Sequence, residues 1–231
     1  MDSGNIGFVL LCAAFVFVMT PGLAMFYGGL VRKKNVVNTM MTSIFIIGIG
    51  IVMWVLFGYS LSFAPSGNAF IGDFRWLGLE GVSLTEGYTD DASIPNMVFS
   101  AFQMMFAVIT PALITGAVAG RMKFKSIFVF TIFWSLIVYY PLAHMVWGQG
   151  GLLGADGIGA LDFAGGDVVH ISSGVSALVL CILLGTIMNI QFTEFTISRQ
   201  LYSVRRSLCS VGSALMRVLH LPPTVLRLTH L

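Results

Sequence analysis

At 231 residues, with 57% of them hydrophobic, only 10% charged and a mean hydropathy of +0.91, the chain lies far from the composition of a water-soluble domain. Its formal charge of +2 excludes the strongly basic class that grips nucleic acid, and its charges gather in short segments between long apolar runs. Cys12, Cys181 and Cys209 have neither paired, Cys-x-x-Cys nor metal-ligand spacing, which excludes a disulfide framework and a zinc site, and no cofactor is implied.

A helix that crosses hydrocarbon needs about 20 mostly apolar residues. Five stretches meet that length, at 6–30, 37–63, 97–120, 126–147 and 163–187, which predicts an all-α integral membrane protein embedded in the lipid bilayer. The first run is read as a true span, because it follows Asp2 rather than a basic region and is too long for a cleaved leader. Arg32, Lys33 and Lys34 follow the first span, and Arg121, Lys123 and Lys125 follow the third. With alternating crossings both clusters lie on one face, which the basic bias of inner loops assigns to the cytoplasm, so the N-terminus is expected outside. The opposite connections hold only Arg75 among Asp73, Glu80, Glu86, Asp90, Asp91 and Asp156. Residues 64–95, rich in Gly, Ser and acids, are expected to form an external loop, disordered in part. Because five is odd, a second five-helix copy would insert inverted, the architecture in which transporters hold a substrate site between repeats.

Ionisable residues inside a span cost free energy and mark function or pairing. Asp162 opens the fifth span before a Gly-rich turn, where its carboxylate can cap exposed helix amides. Whether it is a plain cap or more is open. His170 follows eight residues later, which at about 1.5 Å per residue predicts a position some 12 Å deeper. There it is either a structural histidine or a proton-handling group, since a neutral imidazole both donates and accepts. Asp167 either pairs with it or faces the outer vestibule. The small residues around His170, and the Gly116-x-x-x-Gly120 spacing, predict close helix packing. Phe102, Phe106 and Trp147 form either an ordinary aromatic belt or a cluster that attracts a small cation through its ring faces. His144 is expected to be interfacial and structural.

The run Met19-Thr20-Pro21-Gly22-Leu23-Ala24-Met25-Phe26-Tyr27-Gly28-Gly29-Leu30-Val31-Arg32 is similar to the first helix of the Amt/Mep/Rh ammonium transporters, the Amt branch in particular. In the same order, Phe102-Gln103-Met104-Met105-Phe106, Thr115-Gly116-Ala117 with Arg121, Pro141-Leu142-Ala143-His144-Met145-Val146-Trp147-Gly148, and Asp162-Phe163-Ala164-Gly165-Gly166 with Val168-Val169-His170 resemble that family. The resemblance runs from residue 1 to 187 and implies the five-helix N-terminal half of an eleven-span fold. It implies ammonium recruitment by Phe106 and Trp147, a stacked phenyl gate of Phe102 and Phe106, an essential carboxylate at Asp162, and a pore histidine at His170. It further implies ammonium or ammonia as the transported species, with methylammonium as analogue, a homotrimer in the cell membrane, and no enzymatic turnover.

Residues 188–231 depart from the family pattern, having no apolar run of 20 residues and five of the twelve basic residues. Two readings stay open: an interfacial basic helix over Leu201, Val204, Leu208, Val211 and Leu215, or a tail read from a shifted frame. On either, the second pore histidine and the cytoplasmic tail that PII-type regulators engage are expected to be missing, and the chain alone is not expected to form a complete pore. The alternative is a non-transporting membrane subunit that associates with full-length transporters.

Overall fold

The computed structural model describes residues 2–65, 68–89, 92–154 and 157–185. The two readings of 188–231 lie outside the described residues, as do Asp90, Asp91 and Asp156. Five helices are long and apolar enough to cross a membrane: α1 Ser3–Leu30, α2 Lys33–Phe63, α3 Asn96–Val118, α4 Phe124–Trp147 and α5 Gly166–Leu184. All regular structure among the described residues is helical. The helices begin and end for local reasons. The Asp2 carboxylate accepts from the Gly4 amide at 2.9 Å and starts α1 three residues before the apolar run does. At the other end of the bundle Gly120, at φ +71°, turns the chain out of α3, and the Arg121 guanidinium donates to the carbonyl of Gly185 at 3.2 Å, closing the C-terminus of α5.

α3 is the hub. It packs against α1, α2 and α5, and 67% of its apolar window is buried, against 28% for α1 and 22% for α5. Small residues bring the partners in. Gly50 on α2 lies against Val108, where an added Cβ would stand 3.2 Å from the Val108 Cα, and about two turns along the same pair of helices the hydroxyls of Ser43 and Thr115 meet at 3.1 Å. On the α1 side the Tyr27 ring occupies the space over Gly116, and its hydroxyl donates to the Leu113 carbonyl at 2.9 Å. The Gly116-x-x-x-Gly120 spacing is therefore not a helix-packing motif as expected from sequence. α3 ends at Val118, so Gly116 receives a ring while Gly120 serves the turn.

Three helices contain a widened, π-type turn: α2 at Trp54–Gly58, α4 at Ser135–Tyr139 and α5 at Gly166–Ile171. The first two face each other, with the Tyr140 ring pressed on Gly58. The extra residue in each turn swings large rings into one layer, where Trp54 meets Tyr59, Phe63 and Tyr140 at centroid distances of 5.7, 6.2 and 6.0 Å.

The connection between α2 and α3 is irregular, as expected, and over residues 68–89 much of it is exposed, but two of its rings are anchored on that ring layer. Trp76 stacks on Tyr59 at 5.4 Å and 16°, and Tyr88 stacks on Phe99 at 4.9 Å and 9°. The Tyr88 hydroxyl donates to the Phe63 carbonyl at 3.1 Å and accepts from the Gln149 amide at 3.2 Å. Burial pushes this phenol above its ordinary value.

Two expectations follow. Replacing Gly116 by Leu drives a side chain into the Tyr27 ring, at a cost of about 1–3 kcal/mol read as a lower unfolding midpoint in detergent, whereas Gly174→Ala, where an added Cβ meets nothing within 4 Å, leaves the midpoint in place. Because Tyr88 holds its proton more tightly folded than unfolded, its contribution is complete below the unfolded value of about 10 and is lost as pH rises toward the folded one. Tyr88→Phe should flatten the alkaline fall in stability by up to about 1.4 kcal/mol per pH unit.

Candidate functional site

The N-terminal half of α3 and the C-terminal end of α4 meet around the start of α5. Asp162 is 4% exposed, and its two carboxylate oxygens take three successive amides: Oδ1 accepts from Gly166 at 2.6 Å, Oδ2 from Asp167 at 2.9 Å and from Val168 at 3.1 Å. Each is a charge-assisted bond at a helix N-terminus, where the helix dipole also favours a negative group. The turn between carboxylate and helix requires Gly165, which stands at φ +75° with no room for a Cβ beside Val169. The Asp162 carbonyl in turn accepts from the Trp147 indole N–H at 3.4 Å, so the last residue of α4 is tied to the cap of α5.

Phe102 and Phe106 lie one turn apart on the N-terminal half of α3. They belong with Trp147, Val168 and Val169 to one apolar cluster. Their rings stand 5.1 Å apart at 80°, edge to face rather than stacked as the resemblance implies. The cause is that both project from one helix at a spacing of four residues, where an edge-on approach satisfies the ring quadrupoles. Phe102 is buried and Phe106 half-buried.

His170 departs from expectation in depth and in burial. α5 begins at Gly166, not at Asp162, so the imidazole lies four residues into the helix, about 6 Å along it at most, instead of 12 Å. It is exposed, and among the described residues its ring has no hydrogen-bond partner, Asp167 included. Val168 and Val169, on the opposite side of the turn, are buried. His144, expected at the interface, is fully buried. Its Nδ1 lies 3.1 Å from the Ser62 carbonyl and its Nε2 2.9 Å from that of Asn68, so the ring clasps the end of α2 to the connection after it. Nothing in its sequence surroundings signals two carbonyl partners 76 and 82 residues away. Sequence reasoning also passed over Gln103, whose Oε1 is buried without a partner among the described residues. No group of three or more His, Cys, Asp or Glu among the described residues is placed to hold a metal ion.

Residues 7–204 match the model of the Ammonium Transporter Family. The chain belongs to the ammonium transporter family. Among its relatives, the "Ammonium transporter" of Bacillus subtilis (strain 168) is 54% identical over 185 residues, which cover 80% of this chain and 45% of that protein. The "Ammonium transporter" of Aquifex aeolicus (strain VF5) is 44% identical over 187 residues, 80% of this chain and 43% of that one. The crystal structure of Saccharomyces cerevisiae Mep2 superposes with a TM-score of 0.80 at 32% identity, covering 93% of this chain and 48% of Mep2. Candida albicans Mep2 gives 0.81 at 28% over the same shares. The chain spans about half the length of the relatives it matches. Its five helices correspond to the N-terminal portion of the family fold, and together with the family membership they make it a multi-pass integral protein of the cell membrane.

Asp162→Asn supplies one acceptor oxygen and turns an NH2 toward the amides, so at least one of the three charge-assisted bonds is lost. The expected cost is about 2–4 kcal/mol, seen as faster amide hydrogen exchange at Gly166–Val168. Unchanged protection there would contradict the cap.

Proposed function

We propose that residues 1–187 form one wall of a transmembrane path for ammonium or ammonia. Phe106 and Trp147 recruit the ion at the outer end, Phe102 and Phe106 narrow the way below it, and His170 handles the proton. The carrying observation is the knot at Asp162, which fixes the start of α5 while tying it to Trp147, so that the aromatic wall and the histidine-bearing turn hold a set relation. Family membership supports ammonium as the substrate, since the relatives named above are themselves named ammonium transporters.

The chemistry follows from the cost of charge. An ammonium ion is attracted to aromatic faces by about 0.5–2 kcal/mol each, according to how dry the site is, but bare in hydrocarbon it is far more costly than neutral ammonia. Surrender of a proton at the end of the aromatic site lets the neutral molecule continue, and an imidazole is suited to exchange that proton. In this reading the exposed face of α5, with His170, is completed by a second wall that packs on it. Homotrimeric assembly and an outward N-terminus belong to the same proposal. The non-transporting subunit reading is not favoured by any observation above.

Methylammonium uptake tests it in cells without other ammonium uptake. A chimera in which residues 1–187 replace the matching part of the Bacillus subtilis transporter should accumulate the analogue. There Trp147→Leu should raise KM several-fold, and His170→Ala should abolish uptake with the protein still in the membrane. The 231-residue chain alone should give none. His170-dependent uptake by that chain alone would overturn the one-wall reading, and full uptake by the His170→Ala chimera would overturn the histidine's role.

A further inference from the structure

We propose that Gln103 is a further binding residue of the aromatic site, whose side-chain carbonyl accepts a hydrogen bond from the transported ion and keeps hold of the neutral molecule once the proton has gone. The inference rests on the reading of Phe102, Phe106 and Trp147 given above. It adds a directional acceptor, which ring faces do not supply.

The observation is an imbalance within a single helix. α3 buries five polar side chains, those of Asn96, Ser100, Gln103, Thr110 and Thr115. Asn96 accepts from the Tyr59 hydroxyl and Ser100 from the Trp54 indole N–H at 3.3 Å. Thr110 and Thr115 return their hydroxyls to the carbonyls of Phe106 and Ala112 at 2.5 and 2.7 Å. Gln103 is 6% exposed, and no donor among the described residues reaches its Oε1. A buried acceptor left in this way costs about 1–3 kcal/mol, which an apolar side chain of the same size would not. Such a group in a native fold calls for a partner that is neither backbone nor neighbouring side chain.

Its place on the helix indicates that partner. Gln103 directly follows Phe102 and precedes Phe106 by three residues. On a regular helix this sets it about 60° around the axis from Phe106, at a level between the two rings. Ring faces attract a cation through its charge, so they attract an alkali cation too, and their hold ends when ammonium gives up its proton. An amide oxygen has two lone pairs and takes an N–H from ammonium and from ammonia alike. Gln103 therefore spans the step at which the charge disappears.

Gln103→Leu tests this, because it removes the acceptor while filling the space. In the full 231-residue chain in detergent, the unfolding midpoint should stay level or rise, since an unpaired buried acceptor gives way to hydrocarbon. In the chimera with the Bacillus subtilis transporter, the same substitution should raise the KM for methylammonium at least about tenfold, the worth of one hydrogen bond to a charged group. Gln103→Glu keeps an oxygen acceptor in place and should bring the KM back to within about threefold of the unaltered chimera. An unchanged KM in Gln103→Leu would overturn the proposal and leave the oxygen to a buried water. So would a KM raised equally by Leu and by Glu, or a rise accompanied by a lower midpoint, either of which makes the residue structural. If Gln103→Leu fails to reach the membrane, Gln103→Met decides by the same readouts. Trp147→Leu, read in the same cells, keeps two failures apart. A raised KM there with none in Gln103→Leu removes this inference alone, whereas no change in either removes the recruitment reading beneath it.

Discussion

In hydrocarbon a backbone amide has no water to turn to, and the first turn of any helix leaves several amides without internal partners. At the start of α5 a single buried carboxylate resolves this. Asp162 takes the amides of Gly166, Asp167 and Val168, and in doing so it fixes not only where α5 begins but how the helix is rotated. With that rotation Val168 and Val169 enter the core, and His170 and Ile171 face outward. The widened turn at Gly166–Ile171 follows directly, with the amides of His170 and Ser172 reaching back five residues to the carbonyls of Gly165 and Asp167. Everything said of His170 depends on this cap, because a slip of one residue would bring a valine to the face the imidazole holds.

The ring layer at the ends of α2 and α4 solves the complementary problem. α2 and α4 end there beneath an irregular connection, whose carbonyls and amides need partners if they are to be buried. Ser62 and Asn68 offer carbonyls to His144, Phe63 offers one to Tyr88, and the Gly72 amide reaches the Leu61 carbonyl at 2.7 Å. Tyr88 and Trp76 supply ring area on one side and a polar atom or ring edge on the other, which is why aromatic residues recur where a membrane protein meets water. The platform on which Trp147 stands is therefore held by side chains well separated in sequence, not by the helices alone.

That separation explains what could be read from the sequence. The number and rough limits of the spans follow from the length of apolar runs, because the hydrocarbon imposes that length on any chain. Family resemblance pointed to Asp162, Trp147 and His170 through local motifs. The cap at Asp162 was legible, since its partners lie four to six residues ahead; the burial of His144 and the anchoring of residues 68–89 were not, since each depends on a partner distant in the chain: His144 reaches back to α2, and Tyr88 joins α2 to the end of α4. Gly120 shows the same limit on a small scale, because the spacing was right for a packing motif while the helix had already ended.

Polar side chains within the spans separate into two kinds, and the separation bears on which of them carries function. Thr42, Thr110, Ser172, Ser173 and Ser176 each return their hydroxyl to a carbonyl of the preceding turn of their own helix, at 2.5 to 2.7 Å. Such groups are satisfied within their own helix; Ser176 in addition accepts from the Trp134 indole N–H at 2.8 Å and so ties α5 to α4, while Ser172 and Ser173 behind His170 read as packing material. The imidazole of His170 cannot do this: its ring nitrogens lie too far from its own backbone, and none of the described side chains meets them. It is a polar group that its own helix cannot satisfy and that the cap at Asp162 nevertheless holds on an outward face of α5, at a cost that marks it out among the polar residues of the span.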